Sequence, residues 1–320
     1  MKVFCSIILI LFFYLTAVGQ NTFQYSQYML DKYQFNPAYG GLDYSLNINA
    51  AVRTQWSGVP NSPRSQYVNA HMPFYIWNGA IGMTLSNETA GNLKNISLSG
   101  SYNYVYSTSM GLLSAGASFG ILQKSIDGRS LITPEGNYVD NTFDHNDPTL
   151  LNTDYQGISP IYSLGIYFAG SVFDVGISLI NTPAPSFTAG LSQLSSGPLT
   201  TFYADYKYAM NEEWDIIPSL LVKSDFIETQ IDFSMMGRYN GKIFGSIGIR
   251  GYNNSSLDAI ILMAGNKLSK NYTIAYSFDT GISSIKRVNE GSHEIRLIYN
   301  LNRPIATGLP PKIIYNPRFL

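Results

Sequence analysis

An alternation of period two begins at Tyr44 and returns, segment after segment, as far as Leu301. In "YSLNINAAVR", Tyr44, Leu46, Ile48, Ala50 and Val52 fall on one face, while Ser45, Asn47, Asn49, Ala51 and Arg53 fall on the other. The pattern recurs in "SQYVNAHMPF", "IGMTLSNE", "ISLSGSYNYVY", "LLSAGASFGI", "IYSLGIYF", "FDVGISL", "TFYADYKYA", "IIPSLLVKS", "IDFSMMGRY", "IFGSIGIRGY", "LDAIILMAG", "YTIAYSFD" and "HEIRLIYNL", fourteen segments in all. Spread over residues 44–301, that leaves about 18 residues for each strand and its connection, close to a ~10-residue membrane strand with a turn. An even count brings both ends of the sheet to one side. Isolated strands cannot cross hydrocarbon, where each unpaired backbone group costs several kcal/mol, so a membrane-borne alternation implies closure into a barrel.

A soluble sandwich or lipocalin-like barrel alternates too, with its polar face in bulk water, where Lys and Glu are common. Here only 13 % of residues are charged, against about 25 % in an ordinary soluble domain. The polar faces are mainly Ser, Asn, Thr and Gly, and the 24 Tyr and 17 Phe suit a wall that meets lipid on one side. The fold class expected is therefore all-β: a closed antiparallel transmembrane barrel of about 14 strands with periplasmic N- and C-terminal segments. A formal net charge of -1 gives no electrostatic footprint for nucleic acid.

Residues 1–19, "MKVFCSIILILFFYLTAVG", read as a secretory signal, with Lys2, an apolar run over Phe4 to Leu15, and the small-residue site Ala17-Val18-Gly19. Cleavage there places the mature start at Gln20 and removes Cys5, the one cysteine, which excludes disulfides and thiolate chemistry from the mature chain. The expected organisation is a signal at 1–19, a periplasmic segment at 20–43, the barrel at 44–301 and a periplasmic tail at 302–320. Two long connections, Lys124 to Asp154 and Ile180 to Leu199, are rich in Asp, Asn, Pro, Gly and Ser and are expected at the cell surface.

Little in the chain points to chemistry. Asp140, Asp144, Asp147 and Asp154 in the first long connection offer oxygen ligands but no EF-hand spacing, so solvated turn residues are the plainer reading than a Ca²⁺ site. His71, His145 and His293 would each need a Ser or Asp in reach to serve a membrane-embedded hydrolase, and no nucleophile elbow or phosphate loop appears. No enzyme activity, cofactor or metal is expected. Arg53, Asp232, Arg238, Arg250, Glu294 and Arg296 occupy polar strand faces and are candidates to line the lumen, where Arg–carboxylate pairing is a plainer role than transport.

The stretch before the first strand, "QYSQYMLDKYQFNPAYGG" from Gln24 to Gly41, is too irregular for a helix and too aromatic for a disordered leader. Its Tyr25, Tyr28, Met29, Phe35, Asn36, Pro37 and Tyr39 need either the barrel mouth or a partner protein to pack against. This stretch resembles the start of the type IX secretion system membrane protein family, PorP/SprF, whose mature chains open with a QxSQYM element followed by NPAYAG. Here these are Gln24 to Met29 and Asn36 to Gly41, with Gly40 in place of the usual second Ala. Further similar motifs follow in order: "RTQWSGVPNSP", "NGAIGMTLSNETAG", "IPSLLVKS", "IAYSFD", "GSHEIRLIYNL" and a terminal "PRF".

The resemblance implies an outer-membrane barrel acting as an accessory of type IX secretion. Its partners would be a large exported surface protein or adhesin and other components of that system, in some members with a role in gliding. It supplies no catalytic residues. Partner binding by the N-terminal aromatics and by Tyr315, Pro317, Arg318 and Phe319 of the tail is the site expectation. A passive porin or solute channel is the alternative: an open lumen would favour it, and a filled one the partner-binding role.

Overall fold

Backbone amides find no partner in hydrocarbon, so the alternating segments pair edge to edge until no edge is left. The computed structural model describes residues 24–74, 77–138, 144–147, 154–182, 186–189, 192–195, 198–252, 255–282, 286 and 288–305. Its strands are β1 (Asn47–Thr54), β2 (Arg64–Phe74), β3 (Gly79–Ala90), β4 (Leu93–Ser107), β5 (Gly111–Ile126), β6 (Tyr155–Gly170) and β7 (Phe173–Thr182). A short hairpin, β8 (Ser186–Ala189) with β9 (Ser192–Ser195), precedes β10 (Leu199–Tyr206), the two-residue β11 (Tyr208–Ala209) and β12 (Trp214–Ser224). Then come β13 (Thr229–Tyr239), β14 (Ile243–Tyr252), β15 (Ser255–Lys267), β16 (Tyr272–Gly281) and β17 (Ser292–Asn300).

Each barrel strand is antiparallel to its neighbours in sequence. β7 pairs with β10, β10 with β12, and β17 returns to β1, which closes a 14-stranded barrel. The seam runs from Asn47 opposite Asn300 to Thr54 opposite His293. Among the described residues no helix is long and apolar enough to cross a membrane.

Alternation sorts the side chains as lipid and lumen require. Val52 is 54 % exposed on the outer wall, and Arg53 beside it is 1 % exposed inside. Met83, Leu85, Leu98, Leu164, Ile166, Ile247, Leu262 and Ile295 continue the outer apolar surface, while Asn69, Ser114, Asp232, Ser277 and Arg296 lie buried within. Around the rim that carries the short turns runs an aromatic girdle, with ring contacts Phe74–Trp77–Tyr102, Phe168–Phe173, Trp214–Tyr239 and Tyr272–Tyr299. Amphipathic rings settle at that depth of a bilayer. A charge on the outer wall should be costly: Leu164→Arg, midway along β6, is expected to lower stability by about 2–4 kcal/mol, measured by denaturant unfolding in lipid.

Three boundaries differ from the sequence expectation. Tyr44 belongs to no strand, because its φ of 56° bends the chain into β1. "TFYADYKYA" is interrupted at Lys207, whose amide donates to Val172 O while its ammonium reaches Asp174 Oδ1 at 2.9 Å. The long connections begin later than Lys124 and Ile180, since β5 and β7 run on to Ile126 and Thr182. The signal, Cys5, Asp140 and the tail residues Tyr315, Pro317, Arg318 and Phe319 lie outside the described residues.

Candidate functional site

The segment expected on the periplasmic side of the first strand lies inside the barrel instead. A barrel of this girth leaves a lumen that its own inward side chains do not fill, and the chain between Gln24 and Tyr44 occupies it. Tyr25, Tyr28, Met29, Tyr33, Phe35, Ala38 and Leu42 are all buried, packed against wall residues such as Tyr67, Tyr167, Tyr203, Leu221 and Met263. Two single turns of 3-10 helix, Tyr28–Leu30 and Pro37–Tyr39, compact the segment. Asn36 starts the second by accepting from the Ala38 amide at 2.9 Å, and Pro37 at its first position has no amide to leave unsatisfied.

Hydrogen bonds to charged wall groups hold the segment at one end and ion pairs hold it farther along. Near the rim of the long connections, Ser26 Oγ donates to Asp279 Oδ2 at 2.6 Å and its amide donates to Glu294 Oε2 at 2.7 Å. Arg53 and Arg250 both donate to that Ser26 oxygen and to Asp279, and Arg250 Nε reaches Asp232 at 2.6 Å. Deeper in, Arg296 joins Asp31 and Glu294, each at 3.1 Å, and Asn69 donates to Asp31 at 2.8 Å. Near the rim of the short turns, Lys32 sits 2.6 Å from both Asp174 and Asp205.

Between these ends the wall is cut to receive the segment. Tyr28 OH donates to Ser219 O at 3.0 Å. Asn36 Nδ2 reaches Ile166 O and Ile177 O at 3.0 and 3.1 Å, and Ser178 donates to Phe35 O at 2.5 Å. Asn103 donates to both Ala38 O and Gly40 O at 2.8 Å, and His71 Nδ1 accepts from the Gly41 amide at 3.0 Å.

Two wall glycines make room for this turn: a Cβ on Gly165 would stand 2.0 Å from Asn36 Oδ1, and one on Gly116 would stand 2.7 Å from the backbone of Ala38. Gly41 must itself be glycine, with φ +68° and Ala80 Cβ 2.3 Å from where its own Cβ would be. Gly40 could carry an Ala with little adjustment, since the nearest atom to its Cβ position, in Tyr33, is 3.3 Å away.

The residues expected to bind a partner, Tyr25, Tyr28, Met29, Phe35, Asn36, Pro37 and Tyr39, thus lie against the inner wall and not at a surface. Of the lumen candidates, Arg53, Asp232, Arg250, Glu294 and Arg296 come together in one network. Arg238 stands apart at the short-turn rim, paired with Asp215 at 3.1 Å. Sequence reasoning missed Ser26, Asp31, Lys32, Asp174, Asp205 and Asp279 as the groups that seat the segment. The strand parity of the last three was the available signal, since each falls on the polar face of its strand.

The histidines hold structure together. His71 receives Gly41, His293 contacts Tyr276 OH at 2.7 Å, and His145 ties Gly128 O to Tyr138 OH within the first long connection. Asp144 pairs there with Asn137 in a short bridge, and no group of three acidic, His or Cys side chains among the described residues is placed to hold a metal ion.

The same architecture occurs in solved structures. The toluene transporter TbuX of Ralstonia pickettii superposes with a TM-score of 0.50 at 11 % identity, over 86 % of this chain and 93 % of that one. The CymD monoaromatic hydrocarbon channel gives 0.49 at 12 % identity over 90 % and 96 %, and Omp33 of Acinetobacter baumannii gives 0.47 at 7 % over 81 % and 99 %. No curated protein matches the sequence. A family match runs over residues 17–299 under the description "Type IX secretion system membrane protein PorP/SprF". An outer-membrane β-barrel whose lumen is closed by its own N-terminal motif, this chain belongs to the PorP/SprF family.

Proposed function

We propose that this barrel is an accessory of type IX secretion that supports export or surface retention of a large surface protein or adhesin, in a setting that includes gliding. It acts by protein–protein contact and not by passing solute. Family membership supports the system, and one observation favours contact over conduction: residues 24–44 pack inside the lumen, with Ser26 hydrogen-bonded to Asp279 and Glu294 near one end and Lys32 ion-paired with Asp174 and Asp205 toward the other. At the outer rim the recess beside Gln24, Arg53 and Trp56 measures only about 10 Å³, room for about one water.

A second reading, a solute channel, draws on the likeness of fold to a toluene transporter and would require the segment to move aside. The two separate in a single set of experiments. The purified full chain in planar bilayers is expected to carry no sustained current, and deleting its gene is expected to strip particular large proteins from the cell surface while leaving uptake of small solutes unchanged. Steady conductance by the intact chain, together with an unchanged surface proteome, would overturn the secretion reading in favour of the channel.

A further inference from the structure

Most acidic side chains that point into the barrel are matched there by a cation. Glu88 is not. It shares the inward face of β3, opposite in parity to the outward Met83 and Leu85, and among the described residues no hydrogen bond or ion pair reaches its carboxylate. Two residues short of Ala90, where β3 ends, it stands about 7 Å inside the rim of the long connections. Its side chain keeps partial contact with solvent, so the site can be reached from that mouth.

The groups around this carboxylate offer oxygen. Strand register sets Ser65 of β2 on one side of Glu88 and Asn95 of β4 on the other, all on the lumen face. Directly opposed side chains of neighbouring strands lie about 5 Å apart at Cβ. Tyr25 of the lumen segment comes to the same place, where the Glu88 charge and Ser65 both bear on its hydroxyl. Tyr25 and Asn95 are only 4 % and 5 % exposed, yet Tyr25 OH and Asn95 Oδ1 have no hydrogen-bond partner among the described residues. Buried polar atoms of native proteins are nearly always satisfied, so two orphans beside a lone carboxylate mark a place made for an occupant.

The geometry points to a receptor site for a primary ammonium group that enters from the cell surface, formed by Glu88, Asn95, Ser65 and Tyr25. An ammonium brings one positive charge and three N–H donors, and accepts nothing. Glu88 balances the charge, and its carboxylate, Asn95 Oδ1 and a hydroxyl oxygen of Ser65 or Tyr25 supply three acceptors. A Ca²⁺ ion would keep one charge unmatched and asks for about six to eight oxygens. A guanidinium carries five donors in a rigid plane, more than these oxygens answer. Resting on the secretion reading above, the source is a lysine of the exported surface protein, whose flexible four-carbon stem suits a carboxylate set just below the rim.

The site is tested first on the purified full chain, titrated with Nα-acetyl-lysine methylamide and with its uncharged counterpart, Nα-acetyl-norleucine methylamide. Saturable binding of the lysine probe at least tenfold tighter than the norleucine probe is the expected result. Glu88→Gln should abolish the difference while heat-modifiable migration persists, and Glu213→Gln, at an exposed carboxylate of the opposite rim, should preserve it. Equal binding of the two probes, or a preference that survives Glu88→Gln, overturns the site. Sodium or calcium ions that bind more tightly than the lysine probe, and lose that binding in Glu88→Gln, overturn the ammonium assignment in favour of a metal ion. In cells, Glu88→Gln is expected to lower by at least threefold the surface protein that deletion of the gene removes. If deletion removes that protein and Glu88→Gln does not, the cargo lysine is overturned as the source. If deletion removes nothing, the secretion reading fails, and the ammonium site stands on the titration.

Discussion

Replacing Lys32 with Met is expected to unseat the lumen segment while leaving the barrel assembled. The ammonium is the shared partner of Asp174 and Asp205, and both carboxylates are almost wholly buried. Removing one member of a buried ionic cluster costs about 3–5 kcal/mol, because the charges left behind lose their partner without regaining water. Lys207 offers Asp174 partial relief at 2.9 Å, whereas among the described residues Asp205 keeps the hydrogen bond from Tyr203 OH, at 2.6 Å. The strand ladders do not involve Lys32, so slow migration on heating should persist. The readout is proteolysis of the segment in the folded barrel, accompanied by current in planar bilayers. A protected segment in the Met variant would show that the aromatic packing alone holds it in place.

The second large effect lies on the opposite partner, the wall. Gly116→Val adds no strain to β5 itself, since Gly116 has extended backbone and its neighbour Gly165 across the ladder leaves space along the sheet. It does drive a side chain into the main chain of Ala38, with 2.7 Å where about 3.4 Å is the comfortable limit. Overpacking of this kind usually costs about 1–3 kcal/mol when side chains can shift, and more when the obstacle is backbone. The expected outcome is a barrel of unchanged thermal stability in its strands, with the turn at Asn36 to Gly40 displaced and hydrogen exchange at the Ala38 and Gly41 amides accelerated by orders of magnitude. Unchanged exchange at those amides would mean that the wall yields and the segment does not. Together the two variants separate charge from shape as the means of retention.

Much of the barrel could be read in advance because lipid imposes a simple rule on every strand. Val52 and Arg53 are neighbours in the chain and opposites in environment, and the same parity carried the reading through fourteen segments. Parity also placed Arg53, Arg250 and Arg296 inward, but it could not say what they would face. The occupant of the lumen was harder to foresee, because residues 24–44 have no period and their partners are distant in sequence: Ser26 meets Glu294, Tyr28 meets Ser219, and Asn36 meets Ile177. Aromatic density and the two motifs marked the segment as something that packs. Only the space left within the closed wall determined where. The wall glycines were the least visible part, since Gly116 and Gly165 look in sequence like any small strand residue and become informative only once Asn36 and Ala38 are seen against them.

The seam between β1 and β17 has a consequence for assembly. The two strands that zip it lie at opposite ends of the polypeptide, and the amides of Leu301 and Ile305 reach back to Leu46 and Tyr44 to fasten it. The cylinder cannot be sealed until the final strand has emerged, and contacts of such long sequence separation are slow to form. Throughout that interval the occupant hangs from the very strand that waits for its mate. It can be laid sideways into a half-open trough before the seam closes, with no need to thread a finished pore.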